Sequence, residues 1–542
     1  MTVDEQLGDE GEAKREVETQ FRFPLTLALI GFALGLAFEI LFFGHPIGIS
    51  FSIMASLCIG TLLFAAWREG IPFARGNLFL MFPILFFSIM TFLRTEPMTV
   101  FLDVVLTLML FALWVRAFRL GGLLDYGWLD MGLALLWVPL EAWIRPWSVL
   151  GKTQKKVFKE GQGRGVFLAI LRGLILAIPI LMVFLVLLMT ADLIFQARVE
   201  AALEWLDVER LVEYFGRVLV VILGTIFFLG AIVAALRDPG ERKWIGEDKP
   251  ILKPFLGFIE SAVVLGGVDL LFAGFVIIQF AYLFGGEANI DIAGYTYSEY
   301  ARRGFGELVA VGVLSLGLIL GLAAWTRRER PATRWWFNGL STLLILQVGV
   351  ILASALTRLL LYEEAYGFTR LRTYTHIFIP WMGVLLVAFL VLLLVGKLRK
   401  FAIAIALGAM GFALTLNLMN VDAFIVNRNV ARLEVKSRLD VYYLAGLSED
   451  AVPDLVELAE SSSEEVREEL LPELACWNAQ LEDQMEEQTW PSTNLSRLAA
   501  RDAFQELQED FAHYEVFQDD WGLWLIHGED EEISCAHQAW SR

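Results

Sequence analysis

Residues 376–396 read HIFIPWMGVLLVAFLVLLLVG, and the next four, 397–400, read KLRK. After His376 no ionisable side chain interrupts the run until Lys397. A helix crossing the hydrocarbon core of a bilayer needs about 20 mostly apolar residues, which is what this stretch supplies. The stretch 400–419, which starts on the last residue of KLRK, is apolar after Lys400, so the basic tetrapeptide reads as the short loop between two spans. Toward the N-terminus the same pattern recurs at 24–43, 49–67, 76–93, 99–118, 166–195, 211–236, 255–285, 304–326 and 335–361, giving eleven stretches in all. The whole chain is 57% hydrophobic with a mean hydropathy of +0.58. Inside lipid a backbone must satisfy its own polar groups, and a helix does so segment by segment. The expected fold class is therefore all-α, a polytopic transmembrane helical bundle of about 11 spans with a soluble, mostly helical C-terminal tail.

Charge divides the chain further. The net charge is −19, but residues 420–542 carry 28 Asp/Glu against 8 Lys/Arg, and residues 1–20 carry 7 against 2. The membrane body is thus mildly basic between two acidic ends. Nucleic-acid binding needs a basic footprint and is not expected. The ends read as solvated, mutually repelling surfaces. The first twenty residues lack a basic stretch followed by a short apolar run and a small-residue cleavage site, so the expectation is no cleaved signal, with 24–43 acting as its own anchor. Five segments follow: an acidic tail at 1–23, four membrane helices in 24–120, an interfacial or re-entrant piece with a basic loop in 121–165, seven membrane helices in 166–419, and an acidic, extracytoplasmic tail at 420–542.

Orientation follows from Lys and Arg in short loops, which favour the cytoplasm. Arg237, Arg242, Lys243, Lys249 and Lys253 form one basic loop, Arg327, Arg328, Arg330 and Arg334 a second, and Lys397, Arg399 and Lys400 a third. They alternate with acidic or mixed loops at 196–210, 286–303 and 362–375. Gly121–Trp147 is long enough to span, yet it carries Asp125, Asp130, Glu141, Pro139 and four tryptophans, a composition suited to the interface. If it does not cross, Arg116 and Arg119 before it and Lys152, Lys155, Lys156, Lys159 and Arg164 after it are all cytoplasmic. The N-terminus is then inside and the C-terminus outside. In the tail, Ser462 with Glu465 predicts a capping box opening a helix to about Gln488, with a kink at Pro472 and a break at Trp490-Pro491-Ser492. Residues 493–509 resume helical spacing, and 516–542 show no period. Cys476 and Cys535 are both in the tail, free or paired according to its compartment, whereas Cys58 lies in a span.

Ionisable residues inside a membrane are costly and are candidates for function. Asp269 stands in the middle of 255–285, on a face with Ala262, Gly266 and Ala273 at helical spacing, next to Gly266-Gly267. Its alternative role is a neutral or hydrogen-bonded group in close helix packing. A second set falls toward the outer face: Glu39, Asp103, Asp192 and Arg358 near the ends of spans, Glu307 at the start of one, and Arg302, Arg303, Tyr362, Glu363, Glu364, Arg370, Arg372 and His376 in or beside loops, with Arg428 and Arg432 after the last span. Guanidinium forks of this kind grip phosphate or carboxylate bidentately, or seal loop ends as ordinary ion pairs. Gly161-Gln162-Gly163-Arg164-Gly165 lacks the strand and the Lys-Ser/Thr of a phosphate loop. Cys535, His537, His513 and His527 match no zinc spacing. Gly31/Gly35 and Gly317/Gly321 are small-residue pairs suited to helix packing. No catalytic residues, metal site or cofactor are expected, and the chain does not read as an enzyme.

Several stretches occur in order that resemble one bacterial membrane family. They are Leu171-Arg172-Gly173 through Ala191-Asp192, the stretch Tyr297-Ser298-Glu299-Tyr300-Ala301-Arg302-Arg303-Gly304-Phe305-Gly306-Glu307-Leu308, and Tyr366-Gly367-Phe368-Thr369-Arg370-Leu371-Arg372. Asn427-Arg428-Asn429, Leu439 to Ala445 and Ser448 to Pro453 follow. Together they resemble the domain of unknown function four-one-seven-three, with its sister group four-one-five-three, over about 165–460. The resemblance implies a bacterial inner-membrane protein and assigns no activity and no catalytic residue.

Two functional expectations follow. In the first, a transporter-like or lipid-handling protein binds an anionic small molecule or lipid headgroup through Arg302, Arg303, Arg358, Arg370 and Arg372, with Glu307 beside them and Asp192 or Asp269 coupling protonation to movement. In the second, a non-transporting envelope sensor or scaffold binds a protein partner through the acidic tail. In both, the bilayer is the first partner.

Overall fold

The computed structural model describes residues 21–147 except Leu120, parts of 173–203, then 208–237, 254–282, 305–433 and 439–535 except Glu487, Asp520 and 528–531. Before the tail the helices are α1 Pro24–Phe42, α2 Ile49–Glu69, α3 Met81–Leu93, α4 Pro97–Ala117, α5 Trp128–Ile144, α6 Leu193–Leu203, α7 Val208–Leu236, α8 Phe258–Tyr282, α9 Phe305–Trp325, α10 Pro331–Tyr366, α11 Arg370–Leu394 and α12 Phe401–Met419. Among the described residues, 10 helices are long and apolar enough to cross a membrane. The expected span at 166–195 lies largely outside the described residues. The chain is a polytopic helical membrane protein.

The helices pack as two groups. One core joins α1–α5 with α7 through Leu34, Leu62, Phe87, Leu110, Trp114 and Leu229. A second joins α8–α11 through Leu265, Ile319, Leu344, Val348 and Phe389. Between them runs α12, whose Gly408 meets Leu385 of α11 while Ala413 belongs to the first core. The α1–α7 contact is backbone on backbone: a Cβ added to Gly35 would lie 2.6 Å from the Thr225 nitrogen, and Gly224 faces Gly35 across the same contact. Apolar side chains gain little by association in lipid, so such close approach is what holds these helices together. The pair Gly31/Gly35 thus packs as the sequence suggested, whereas a Cβ at Gly317 of the second pair would meet no atom of the described residues within 4 Å.

The loops gather at two ends. At the first, the Glu69 carboxylate accepts the Arg22 and Phe23 N–H groups (2.6 and 2.9 Å), Ala74 N–H reaches the Phe118 carbonyl (2.9 Å), Arg119 the Leu236 carbonyl (3.3 Å), and Arg399 the Asp130 carboxylate (3.0 Å). At the second, Arg217 pairs with Glu39 (2.7 Å) and the tail covers the helix ends. The 17-residue helix α5 starts at the first end, beside Arg399. Its Ala142 lies against Gly230, in the last turns of α7.

The tail is built from α13 Val421–Leu433, α14 Val441–Ala445, α15 Val452–Ser461, α16 Glu464–Glu486, α17 Leu495–Phe504 and α18 Gln508–Phe511, then β1 Val516–Gln518, β2 Trp524–His527 and β3 Glu532–Ser534. Its core of Leu444, Leu455, Leu474, Trp477 and Phe504 is continuous with Ile377 of α11 and Leu416 of α12. The strands form an antiparallel meander in the order β1-β2-β3, in a region where the sequence shows no period. Strands of three or four residues are too short for alternation to register. Cys476 and Cys535 are joined by a disulfide with Cα atoms 5.9 Å apart. The capping box expected at Ser462 does not form: α16 opens at Glu464, and the Ser462 hydroxyl, just past the end of α15, has no partner. The helix continues through Pro472 to Glu486.

Candidate functional site at the bundle–tail junction

Two short turns at the second end set the junction. The α3–α4 turn ends at Glu96, whose carboxylate accepts the N–H groups of Met98 and Thr99 (3.0 and 2.7 Å), while Pro97 occupies the first helical position, where no donor is needed. The α10–α11 turn passes through Gly367 at φ +79°, a backbone region costly for residues with a Cβ. A Cβ there would also collide with the Asn429 side chain. Asn429 brackets the turn, accepting from Phe368 N–H (2.8 Å) and donating to the Phe368 carbonyl (3.0 Å).

From these turns, polar groups cross into the tail. Arg370 donates both arms of its guanidinium to Asp422 (2.9 and 2.5 Å), and its backbone N–H reaches the Tyr443 hydroxyl (2.8 Å). Asp422 also accepts Ser448 N–H and hydroxyl (2.8 and 2.6 Å). Tyr374 donates to Glu96. Asp450 accepts the N–H groups of Thr95 and Glu96 (2.9 and 3.0 Å) and the Ser496 hydroxyl, with Arg94 at 3.8 Å. Arg94 in turn donates to the Asn417 carbonyl (2.9 Å), and the Asn417 amide to Asp103 (2.8 Å). Asn494 donates to the Thr91 and Arg94 carbonyls (3.1 and 3.0 Å), and Ile49 N–H reaches the Thr493 carbonyl (2.9 Å). Burial pushes the Asp450 carboxyl above its usual range, with its donors from Ser496 and Thr95 pulling the other way, and burial likewise raises the Tyr443 phenol.

The arginines expected to face a ligand are divided among different places. Arg370 is spent on Asp422. Arg372 donates to the Gly367 carbonyl (2.5 Å) and lies 4.0 Å from the centroid of the Tyr362 ring. Arg432 bonds the Glu364 and Ala365 carbonyls (3.0 and 2.7 Å), closing the end of α10. Arg358 is buried in the α8–α10 contact, donating to Gln279 (3.1 Å). Arg302 and Arg303 lie outside the described residues. Asp192 is exposed and caps α6 through the N–H groups of Ile194 and Phe195 (2.8 and 2.9 Å). Glu307 is exposed in the first turn of α9, and Asp269 is buried in the second helix group. His376 bonds Glu363 (2.9 Å) and His45 bonds Thr489 (2.8 Å).

The sequence did not single out Glu96, Asp422 or Tyr374. Glu96 has a readable signal, an acidic residue directly before Pro97 at a helix start. Asp422 has none beyond following the last span. Beside the junction, an open cleft of about 980 Å³ is lined by Arg372, Asn429, Arg432, Asp440, Tyr442 and Glu469, among others. Among the described residues no group of His, Cys, Asp or Glu is placed to hold a metal ion.

Fold and junction define a multi-pass helical membrane protein whose tail is bonded to the helix ends of its own bundle. The family model described as a domain of unknown function (DUF4153) matches residues 81–458, and the chain belongs to that family. No curated protein and no solved structure matches it. The match starts well before residue 165, where the resemblance was expected to begin, and it takes in α3 and α4. The junction accounts for this, since Thr95 and Glu96 of that turn bind Asp450 and Tyr374.

Proposed function

We propose that this is a non-transporting envelope scaffold or sensor of a bacterial inner membrane, whose tail is held as one unit with the bundle and offers its acidic outer surface to a protein partner. The observation that carries the reading is the Arg370–Asp422 pair. The family-like motifs 366–372, 427–429, 439–445 and 448–453 meet there and bond to one another or to the helix ends. Their polar groups are directed at the protein itself, so what they secure is the docked tail. The chain is not an enzyme in this reading, and it takes no cofactor.

The same reading places the N-terminus in the cytoplasm and the tail outside. The basic loops support this, as does the disulfide, since such bonds persist in oxidising compartments. The position of α5 supports its not crossing. It starts at the first end of the bundle and α7 starts at the second, and the span expected at 166–195, between them in the chain, lies largely outside the described residues. At 17 residues, α5 is about 25 Å long against a core of about 30 Å.

The test is photo-crosslinking in native membranes from exposed tail positions such as Glu460 and Glu469, compared with lipid-facing positions such as Leu314. Discrete adducts confined to the tail support the proposal, and their absence from every tail position overturns it. A second reading, binding of an anionic solute or lipid headgroup, has the Arg372–Arg432 cleft in its favour. Specific retention of anionic lipid, lost on Arg372→Gln and Arg432→Gln together, supports that reading instead.

A further inference from the structure

Helix α8 carries polar side chains along its length that bond to the end of α9 and to α10. At one end the Ser261 and Thr326 hydroxyls share a hydrogen bond (2.6 Å). At the other, Gln279 accepts from Ser354 (2.7 Å) and Arg358 (3.1 Å). Midway stand Asp269 and Gln347, 4% and 8% exposed. The Gln347 amide N–H₂ donates to the Asp269 backbone carbonyl (3.0 Å), which fixes its orientation and leaves Oε1 without a donor. Both Asp269 carboxylate oxygens also lack a partner.

Among the described residues these three buried acceptors meet no donor, an expensive arrangement for an ionised carboxylate. The charged groups on the neighbouring helices are Glu260 on α8, Glu307 on α9, Arg334, Arg358, Glu363 and Glu364 on α10, and Arg370, Arg372 and His376 on α11. They stand toward the helix ends, and none is bonded to the Asp269 carboxylate. What is missing is a positive donor. Hard metal cations take six or more oxygens, and this site offers three. A proton removes the buried charge: a neutral Asp269 has one O–H to give, and Gln347, already anchored on the Asp269 backbone carbonyl, carries an acceptor with no donor. One turn before Asp269, a Cβ at Gly266 would meet no atom of the described residues within 4 Å.

We propose that Asp269 and Gln347 form an intramembrane proton-binding site at the middle of a polar ladder running from Ser261–Thr326 to Gln279–Ser354–Arg358. The site goes beyond the scaffold reading and stands whether or not the tail has a partner. A proton held there changes the charge of the α8–α10 contact, so occupancy couples to how tightly those helices pack.

The experiment is labelling of the purified full chain with dicyclohexylcarbodiimide, which modifies protonated carboxyls in apolar surroundings, with the Asp269 peptide read by mass spectrometry. Labelling is expected at neutral pH, falling about tenfold per pH unit above the midpoint, and absent in Asp269→Asn. Gln347→Leu removes the acceptor and should move the midpoint to lower pH. Asp269→Asn keeps shape and neutrality, and elution as a folded monodisperse species checks both variants. No labelling of folded protein at acid or neutral pH overturns the proposal, as does an unchanged midpoint in Gln347→Leu. Protection by sodium at constant pH overturns it in favour of a metal cation.

Discussion

Arg370 and Asp422 meet across the boundary between bundle and tail through two parallel hydrogen bonds, Nε to Oδ1 at 2.9 Å and Nη2 to Oδ2 at 2.5 Å. Asp422 is fully buried, and its remaining capacity is taken by Ser448. Removing the guanidinium strands a buried charge, which costs about 3–5 kcal/mol. Arg370→Leu is therefore expected to lower the thermal transition of the purified protein sharply and to expose the junction to protease. Arg370→Lys, which keeps the charge and loses the fork, should fall between it and the parent. Equal stability of Arg370→Leu and the parent would show that the pair does not hold the tail.

Gly367→Ala tests the turn below that pair. Its φ of +79° and ψ of 179° lie in a region all but reserved for glycine, where a Cβ costs about 1–3 kcal/mol, and the added methyl displaces the Asn429 side chain that bonds Phe368 on both sides. The expected result is a loss of more than that backbone cost, because two hydrogen bonds go with it. Combined with Asn429→Ala, the second substitution should add little, which a double-mutant cycle on thermal stability measures.

Docking should also depend on pH through Asp450. Its folded-state carboxyl titrates above the usual value because of burial. A group raised on folding stabilises fully below its unfolded value, about 3.9, and loses that contribution as pH rises through its folded value. Asp450 should thus make docking stronger at acid pH and weaker toward neutrality. Thermal melts of the parent and Asp450→Asn across this range check the sign. The variant should lie below the parent, since an amide has one acceptor oxygen for the donors Thr95, Glu96 and Ser496, and the difference should narrow as pH rises.

The disulfide spans 59 residues and ties the sheet to α16. Cys476→Ser with Cys535→Ser is expected to cost the tail about 2–4 kcal/mol. Limited proteolysis should then cut within 516–535 while the bundle remains intact. Cleavage confined to the bundle loops would contradict this.

Much of this architecture is legible in the residues. Uninterrupted apolar runs such as 376–396 mark membrane helices because lipid leaves the backbone no other solution. The Gly31/Gly35 spacing marks a close contact, although only the structure shows that its partner is α7. The junction is harder to read. Arg370 and Asp422 are 52 residues apart and Glu96 and Tyr374 are 278 apart, so no local spacing records either pairing. The arginines looked like ligand-binding groups because a fork suited to phosphate is equally suited to a carboxylate supplied by the same chain. Asp269 could be recognised from its depth alone, whereas its companion Gln347 depends on how α8 and α10 are aligned.

The tail touches both helix groups. Asn494, Thr493 and Asp450 bond to the ends of α2, α3 and α4, while Asn429 and Asp422 bond to the turn between α10 and α11. It therefore acts as a plate riveted across the seam. Rocking of one helix group against the other would pivot there and open at the opposite end, where Glu69 holds Arg22 and Phe23.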